Sequence, residues 1–278
     1  MNRRKLIGTI TAAGVGLVAG VAPGLWRSAA EGRPGPPLGP HWRPTPKPTK
    51  KPTKKPTKKP TPAVPRDPGY VPADQLRART NPIDSLRDLT PAAPATAVAL
   101  TIDDGPDPYW TPMVLDVLAE FGVPATFNMI GSQVSQHAGL VRRIVAAGHQ
   151  IADHTMTHPM NLPDLSAREI EREIAEAHDR IAQACSVAPR FFRAPGGAWS
   201  QRIVDTASAH RMICVDWNVD PRDWARPGVP QITATLESAG PGDILLVHDG
   251  GGDRAQTVAA LRAALPALKR RGITFVAL

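Results

Sequence analysis

The stretch AVALTIDDGP, Ala97 to Pro106, is an apolar run that ends in an acidic turn. From Ala95 onward, short apolar runs of this kind alternate with stretches of helical periodicity, a pattern typical of βα units around a parallel sheet. Seven such runs predict seven strands. The runs cover residues 97–102, 125–130, 149–153, 190–193, 212–216, 244–247 and 273–276.

Helices between these strands are marked by residues that favour helix ends. Thr111, followed by a proline, predicts a helix start, and Gly122 predicts the end of the same helix. Ser166 and Glu169 have the spacing of a capping box at the start of another helix. In the last helical stretch, Pro266 predicts a kink or a restart, because proline cannot donate a backbone hydrogen bond.

The chain before this region differs from it in charge. Residues 1–95 hold 17 Lys and Arg against 5 Asp and Glu, and residues 96–278 hold 16 against 20. The formal net charge is therefore +12 in the first part and −4 in the second. Because the basic charge is confined to a tail and the folded part is mildly acidic, we expect no nucleic-acid partner.

Residues 1–30 are predicted to be an export signal or an N-terminal membrane anchor. Basic residues from Arg3 to Lys5 precede an apolar run over residues 6–22, and they loosely resemble a twin-arginine export signal. Small residues at 28–30 offer a cleavage site. If that site is not used, a run of about 17 residues is marginally long enough to span a bilayer. Cleaved and membrane-attached forms both remain open, and either predicts an extracytoplasmic protein.

Residues 31–94 are predicted to be a disordered linker. They are dense in proline, and residues 47–62 repeat a Lys-Pro-Thr-Lys unit. Proline fixes φ and lysines repel one another, so the segment should be extended and partly polyproline II. It is either a solubilising tether or a spacer that binds anionic cell-wall polymer.

The two cysteines of the chain, Cys185 and Cys214, fall in the region predicted to fold. A single pair in a domain of this size is not a disulfide framework. One disulfide bond and two buried thiols are both consistent with the sequence.

Two polar clusters that follow predicted strands indicate a metal site. Asp103 and Asp104 are adjacent carboxylates, which repel one another unless a cation or a proton-transfer role separates them; an ordinary turn is the alternative. His154 and His158 have a spacing that places both imidazoles on one side of a helical turn, although they could also be exposed loop residues. Together they complete a set of two histidines and a carboxylate, which favours metal binding.

Further polar residues follow the other predicted strands. Arg193 could orient a carboxylate or form a surface ion pair, and Gly196 could expose an N–H group to an oxyanion. Asp223 could set the pKa of a neighbouring histidine, and Trp224 could stack on a sugar or pack in the core. His248 ends the sixth run. Since the carboxyl ends of parallel barrel strands form one face, we expect these residues to converge.

These motifs resemble the polysaccharide deacetylases, the NodB-homology group of carbohydrate esterase family 4, over residues 95–278. The matching segments are residues 101–106, 154–159, 193–195, 220–224 and 246–248. The resemblance implies an α/β fold, a distorted seven-stranded (β/α) barrel of NodB type. It also implies hydrolysis of acetyl groups on an N-acetylated sugar polymer by water that a divalent metal activates. Zn²⁺ suits the ligands, and Co²⁺, Ni²⁺ and Mn²⁺ are alternatives.

The resemblance further implies a role for each matching residue. Asp103 would be the general base, oriented by Arg193, and His248 the general acid, with its pKa raised by Asp223. The metal ligands would be Asp104, His154 and His158. The substrate-binding residues would be Pro195, Gly196, Trp224 and Leu246. Many members have a tyrosine where Gly196 stands, so this chain keeps the backbone N–H donor but lacks the aromatic wall of the sugar site.

The expectation from the whole sequence is an exported, monomeric, metal-dependent deacetylase that hydrolyses the acetamide of N-acetylated sugars in a cell-wall polysaccharide, namely peptidoglycan. Attachment to a membrane through residues 6–22 stays open. Within the same family, hydrolysis of acetylxylan or other O-acetyl esters is the first alternative. A cyclic-imide or ureide hydrolase fits less well, because those substrates are cytosolic. A wall-binding protein without catalysis is the alternative from a different class.

Overall fold

The computed structural model describes residues 81–278. The predicted export segment and the first fifty residues of the predicted linker lie outside the described residues. Seven strands are present in this part of the chain, as predicted. They are β1 (Ala97–Asp103), β2 (Thr126–Met129), β3 (Gln150–Asp153), β4 (Phe191–Phe192), β5 (Ile213–Cys214), β6 (Ile244–His248) and β7 (Thr274–Val276).

All seven strands are parallel and form one curled sheet, a half-barrel of the predicted α/β type. The order across the sheet is β5-β4-β3-β2-β1-β6. β2 pairs with the second half of β1, and β7 pairs with its first half. Because all strands run the same way, their carboxyl ends meet at one edge, as the sequence predicts.

Helices connect the strands and cover the outside of the sheet. They are α1 (Leu86–Leu89), α2 (Trp110–Phe121), α3 (Gly131–Gln136), α4 (Ala138–Ala146), α5 (Ala167–Cys185), α6 (Gln201–Ala209), α7 (Val229–Glu237) and α8 (Ala255–Arg270). Short 3₁₀ turns lie at Leu162–Asp164, Pro195–Gly197 and Asp223–Ala225. Within residues 81–278, none of the helices has the length and apolar character that a membrane span requires.

β1 pairs with three other strands, β2, β6 and β7, and all seven of its residues are buried. Successive side chains of a strand point to opposite faces. One set packs into the large core beneath the outer helices, and it consists of Val98, Leu100 and Ile102. The alternate set begins with Ala97 and Ala99, which pack inside the half-barrel, and it continues to Thr101 and Asp103. Strand periodicity therefore places the Asp103 carboxylate inside the sheet at its carboxyl edge.

The segment before β1 packs on the folded part of the chain, although it falls within the predicted linker. Ile83, Leu86 and Leu89 are at most 4% exposed and pack against the small residues Ala97 and Ala99. The Ile83 N–H also bonds to a backbone carbonyl of β5. Three apolar side chains are enough to fix this segment, because the alanines leave room for them inside the half-barrel.

The predicted start of α2 is also wrong. Asp107 accepts hydrogen bonds from the N–H groups of Tyr109 and Trp110, at 2.8 Å each, so the helix begins one residue before Thr111. The Thr111 hydroxyl does not cap the helix. It donates to the Asp249 carboxylate at 2.6 Å, and it accepts from the Asp107 N–H at 2.8 Å.

The other predicted helix ends are present. Gly122 ends α2 with a left-handed φ of 61°, and Ser166 and Glu169 form a reciprocal capping box at the start of α5. The predicted restart at Pro266 is wrong, because α8 runs through this residue without interruption. Leu265 and Leu268 on either side of it are buried in the core, and this packing holds the helix together.

Both cysteines are free thiols, so the disulfide bond that the sequence left open is absent, but only Cys214 is buried and Cys185 is half-buried. Burial raises the pKa of Cys214 to about 12, so this thiol stays protonated at neutral pH. Burial also raises the pKa of Cys185. Neither thiol is activated as a nucleophile.

The burial of α1 gives the first testable expectation. Replacing Leu89 with alanine should lower the free energy of unfolding by about 2–5 kcal/mol, because it leaves a cavity against the inner face of the sheet. Urea unfolding followed by circular dichroism measures this. Arg87→Ala is the matched control, since Arg87 is exposed on the same short helix. Equal stability of the two variants would show that the segment is not part of the core.

Candidate active site

Asp103 lies at the carboxyl end of β1 and is 3% exposed. Its Oδ1 accepts a hydrogen bond from Asn128 at 2.5 Å and another from the Arg193 guanidinium at 2.8 Å. Burial alone would raise the pKa of Asp103, but the charge of Arg193, together with smaller contributions from the neighbouring histidines and the bond from Asn128, outweighs it, and the pKa lies below its ordinary value. Asp103 is therefore ionised at neutral pH.

Arg193 follows β4 and crosses the inside of the half-barrel to reach β1. It is 1% exposed, and every nitrogen of its guanidinium donates a hydrogen bond. Besides Asp103, the acceptors are the Thr101 hydroxyl at 2.7 Å, the Val215 carbonyl at 3.3 Å and the Asp216 carbonyl at 2.9 Å. These contacts fix the guanidinium, so it holds the Asp103 carboxylate in one orientation.

Asp104, His154 and His158 are brought together, as the sequence predicts, with ligand atoms within 4.8 Å of one another. Asp104 Oδ1 lies 3.7 Å from His154 Nε2 and 3.3 Å from His158 Nε2. This buried oxygen has no hydrogen-bond partner among the residues that the structure describes. An unsatisfied buried acceptor costs free energy, and a cation between the carboxylate and the imidazoles would remove that cost.

The hydrogen bonding of His154 fits the same role. Its Nδ1 lies 2.8 Å from the Arg193 carbonyl, an acceptor, so Nδ1 carries the proton. The Nε2 lone pair is then directed at Asp104 and free to bind a metal. Burial lowers the pKa of His154 more than the charges of Asp103 and Asp104 raise it, which favours the neutral ring that a metal requires.

Glycine is required where the loop after β6 passes Asp104. A Cβ added at Gly250 would lie 2.3 Å from the Asp104 carbonyl oxygen. No side chain fits at that distance. The close approach brings the end of β6, and with it His248, next to Asp104.

His248 ends β6 directly beside Asp103 in the register of the sheet. Its Nδ1 is 2.7 Å from Asp223 Oδ1, and Asp223 Oδ2 accepts from the His248 N–H and the Thr257 hydroxyl. Burial alone would lower the pKa of His248, but the bond to Asp223 and the charges of Asp223, Asp103 and Asp104 raise it above its ordinary value. His248 is therefore suited to donate a proton from Nε2.

The four predicted substrate-binding residues differ in how much surface they expose to a ligand. Trp224 is 47% exposed, and the Arg222 guanidinium lies 5.2 Å from its ring centre. Leu246 and Pro195 are buried. Gly196 follows β4 with a left-handed φ of 61°. Among these four, Trp224 presents a large apolar surface.

Met160 lies at the site although the sequence pattern did not point to it. It comes two residues after His158, is 64% exposed, and places its Cε 2.7 Å from the position that a Cβ at Gly196 would occupy. The Met160 thioether therefore lies beside Gly196, where the sequence predicts that the aromatic wall of the sugar site is missing. No local pattern could have revealed it, since the contact joins the loops after β3 and β4.

Thr101 and Asn128 were also missed, and for them a signal existed. Both are polar residues in the interior of strands, Thr101 in β1 and Asn128 in β2, and both are buried. A buried polar side chain needs a hydrogen-bond partner. Both side chains face the inside of the sheet next to Asp103. The Thr101 hydroxyl accepts a hydrogen bond from Arg193, and the Asn128 amide donates one to the Asp103 carboxylate.

Comparison with known proteins agrees with this geometry. A family model described as polysaccharide deacetylase matches residues 91–215. The chain is 49% identical over 193 residues to a chitooligosaccharide deacetylase of Sinorhizobium fredii, an alignment that covers 64% of this chain and 88% of the relative. The chain belongs to the polysaccharide deacetylase family. The resemblance that the five sequence motifs indicate is thereby confirmed.

Two further relatives extend the comparison. A peptidoglycan-N-acetylglucosamine deacetylase of Bacillus cereus is 42% identical over 182 residues, covering 64% of this polysaccharide deacetylase and 84% of the relative. A crystal structure of a peptidoglycan N-acetylglucosamine deacetylase in complex with 4-naphthalen-1-yl-N-hydroxybenzamide has a TM-score of 0.64 at 34% identity. It covers 66% of this chain and 88% of the other. The fold and the hydrolase class are those of these deacetylases.

The pair of His248 and Asp223 gives a pH-dependent expectation for this deacetylase. Asp223 raises the pKa of His248, so the acid form persists to higher pH and activity is lost as the pH rises through that pKa. In Asp223→Asn the alkaline limb of kcat/KM should move to lower pH. Asp116→Asn is the control, because Asp116 is exposed on α2 and pairs with Arg143 rather than with His248. Superimposable alkaline limbs for wild type and Asp223→Asn would refute the assignment.

Proposed function

We propose that this polysaccharide deacetylase is an exported, metal-dependent enzyme that hydrolyses the acetamide of N-acetylated sugars in peptidoglycan. The observation that carries the proposal is the environment of two adjacent carboxylates. Asp103 is satisfied by hydrogen-bond donors and ionised, whereas Asp104 directs an unpartnered oxygen at two imidazoles. One is suited to accept a proton and the other to bind a cation.

The residues that would hold the metal are Asp104, His154 and His158. Two imidazoles and a carboxylate that leave positions open are typical of catalytic zinc sites, and Co²⁺, Ni²⁺ or Mn²⁺ would also accept these ligands. When bound, a divalent cation supplies a Lewis acid that polarises the acetyl carbonyl and lowers the pKa of water.

Asp103 would take the proton of the attacking water. Its Oδ1 is held by Arg193 and Asn128, while its Oδ2 lies 3.6 Å from His154 Nε2 and so faces the ligand set. The oxygen of water attacks the acetyl carbonyl carbon, and the proton passes to the carboxylate. Because Arg193 and Asn128 keep Oδ1 occupied, Oδ2 is the atom available for that proton.

His248 would complete the reaction. An amine is a poor leaving group unless it is protonated. The protonated imidazole, stabilised by Asp223, gives its Nε2 proton to the sugar nitrogen as the C–N bond breaks, and the products are acetate and a free amino sugar. Asp103 and His248 lie side by side on neighbouring strands, so they can serve opposite ends of the same bond.

The proposed location and polymer rest on the sequence and on the relatives. Residues 1–30 have the pattern of an export signal or anchor, and the basic stretch before the folded part would attract anionic wall polymers. The Bacillus cereus relative is described as a deacetylase of N-acetylglucosamine in peptidoglycan. Both features support a substrate in the cell envelope.

Acetate release tests the proposal directly. Zinc-loaded protein should release acetate from peptidoglycan and from chitin oligomers, and a chelator should abolish the release. Asp103→Asn should lower kcat by about 10²–10⁴-fold, because it removes the general base. Asp205→Asn, a change at an exposed helix position, is the matched control.

Two results would contradict this function. A higher kcat/KM on acetylxylan than on the N-acetylated polymers would indicate an O-acetyl esterase. Tight binding of these polymers without acetate release, by protein that carries the metal, would indicate a glycan-binding protein.

Met160 provides a test of where the substrate lies. Its exposed thioether beside Gly196 should pack against the sugar, so Met160→Ala should raise KM by about tenfold with little change in kcat. Val187→Ala is the control, since Val187 is an exposed apolar residue that precedes β4 and lies away from the carboxyl edge of the sheet. An unchanged KM in Met160→Ala would place the substrate elsewhere.

A further inference from the structure

The loop that carries the two histidines has an unusual backbone. Thr155 has a φ of 68° and His158 a φ of 62°, both in the left-handed region that side chains other than glycine seldom occupy. Such a conformation costs free energy and persists only where the surroundings determine it. The position of His158, one of the residues proposed to hold the metal, therefore depends on what fixes residues 154–158.

Every backbone N–H group of this loop has a defined acceptor. From His154 to His158 the acceptors are, in order, the Met129 carbonyl, Asp153 Oδ1, the Glu173 carbonyl, Glu173 Oε2 and Thr155 Oγ1. Glu173 thus accepts hydrogen bonds from two of these five N–H groups, those of Met156 and Thr157. Its Oε1 also accepts a hydrogen bond from the Thr157 hydroxyl at 2.8 Å. Both carboxylate oxygens of Glu173 therefore bond to Thr157, the residue before His158.

Glu173 is well placed to fix the loop because it lies on a firmly anchored helix. Its side chain is 7% exposed, and it belongs to α5, which buries Ile170, Ile174, Ala177 and Ile181 completely. These four residues hold the helix in the core independently of Glu173. The carboxylate is therefore a fixed acceptor to which Thr157 is attached.

We propose that Glu173 is a positioning residue of the metal site, which sets the affinity for the cation by holding Thr157 and, through it, His158. The inference rests on the metal site of the proposed function. Glu173 itself is not among the side chains whose ligand atoms converge. Without its carboxylate, the N–H and hydroxyl of Thr157 lose their acceptors, and the loop can relax from the left-handed conformation at His158.

Zinc affinity of the full-length protein tests this inference. The dissociation constant is measured by competition with a chromogenic chelator, in the absence of substrate. Glu173→Ala should weaken zinc binding by about 10–100-fold, the usual effect of removing a residue that orients a ligand. Glu173→Gln keeps one acceptor oxygen and should restore part of the affinity. Glu176→Ala, an exposed change one turn along the same helix, should leave the affinity unchanged.

Near-ultraviolet circular dichroism of each variant separates positioning from folding. A folded Glu173→Ala protein with wild-type zinc affinity would overturn the inference. If Glu173→Ala does not fold, Glu173→Gln and Thr157→Val carry the test, and wild-type affinity in both would overturn it equally. Because no substrate is used, failure to release acetate would contradict the proposed function alone, whereas failure of the wild-type protein to bind zinc would contradict both.

Discussion

The ion pair between Arg193 and Asp103 is the interaction on which the rest of the site depends. Both side chains are almost completely buried, and their charged atoms are 2.8 Å apart. Removing two charges from water is costly and is tolerated only when further hydrogen bonds satisfy them. Thr101 and Asn128 supply part of that satisfaction. The carbonyl of Arg193 also accepts a hydrogen bond from His154 Nδ1, so one residue orients the proposed base with its side chain and a proposed metal ligand with its backbone.

This arrangement gives two neighbouring carboxylates opposite properties. Asp103 points into the half-barrel, where donors stabilise its charge. Asp104, the next residue, has a left-handed backbone with a φ of 78°, and its Oδ1 faces His154 and His158 without a hydrogen-bond donor. Arg193 neutralises the charge of Asp103 but not that of Asp104, so the two carboxylates repel one another less. Asp104 then has a reason to bind a cation, and His248 beside Asp103 can keep its proton.

Much of the fold and of the candidate site could be predicted from the sequence. Strands buried on both faces appear as apolar runs, and the polar residues that follow these strands lie along one edge of the sheet. What sequence did not reveal depends on tertiary packing. The segment with Leu86 and Leu89 has the proline-dense composition of a linker, and it is buried only because small side chains in β1 leave space for it. α2 begins before the residue that the sequence predicts because Asp107, rather than Thr111, accepts hydrogen bonds from the N–H groups at its start. The contact of Met160 with another loop leaves no trace in local sequence.

The central claim is that the two neighbouring carboxylates have different roles. Asp104 binds the cation, and Asp103 remains unligated. Anomalous diffraction at the zinc edge, from crystals of the zinc-loaded protein, tests it most directly. The account predicts a single peak about 2.0–2.2 Å from an Asp104 oxygen and from Nε2 of His154 and His158, with the Asp103 carboxylate still bonded to Arg193. A peak coordinated by Asp103, or zinc bound elsewhere with these three residues unoccupied, would contradict it.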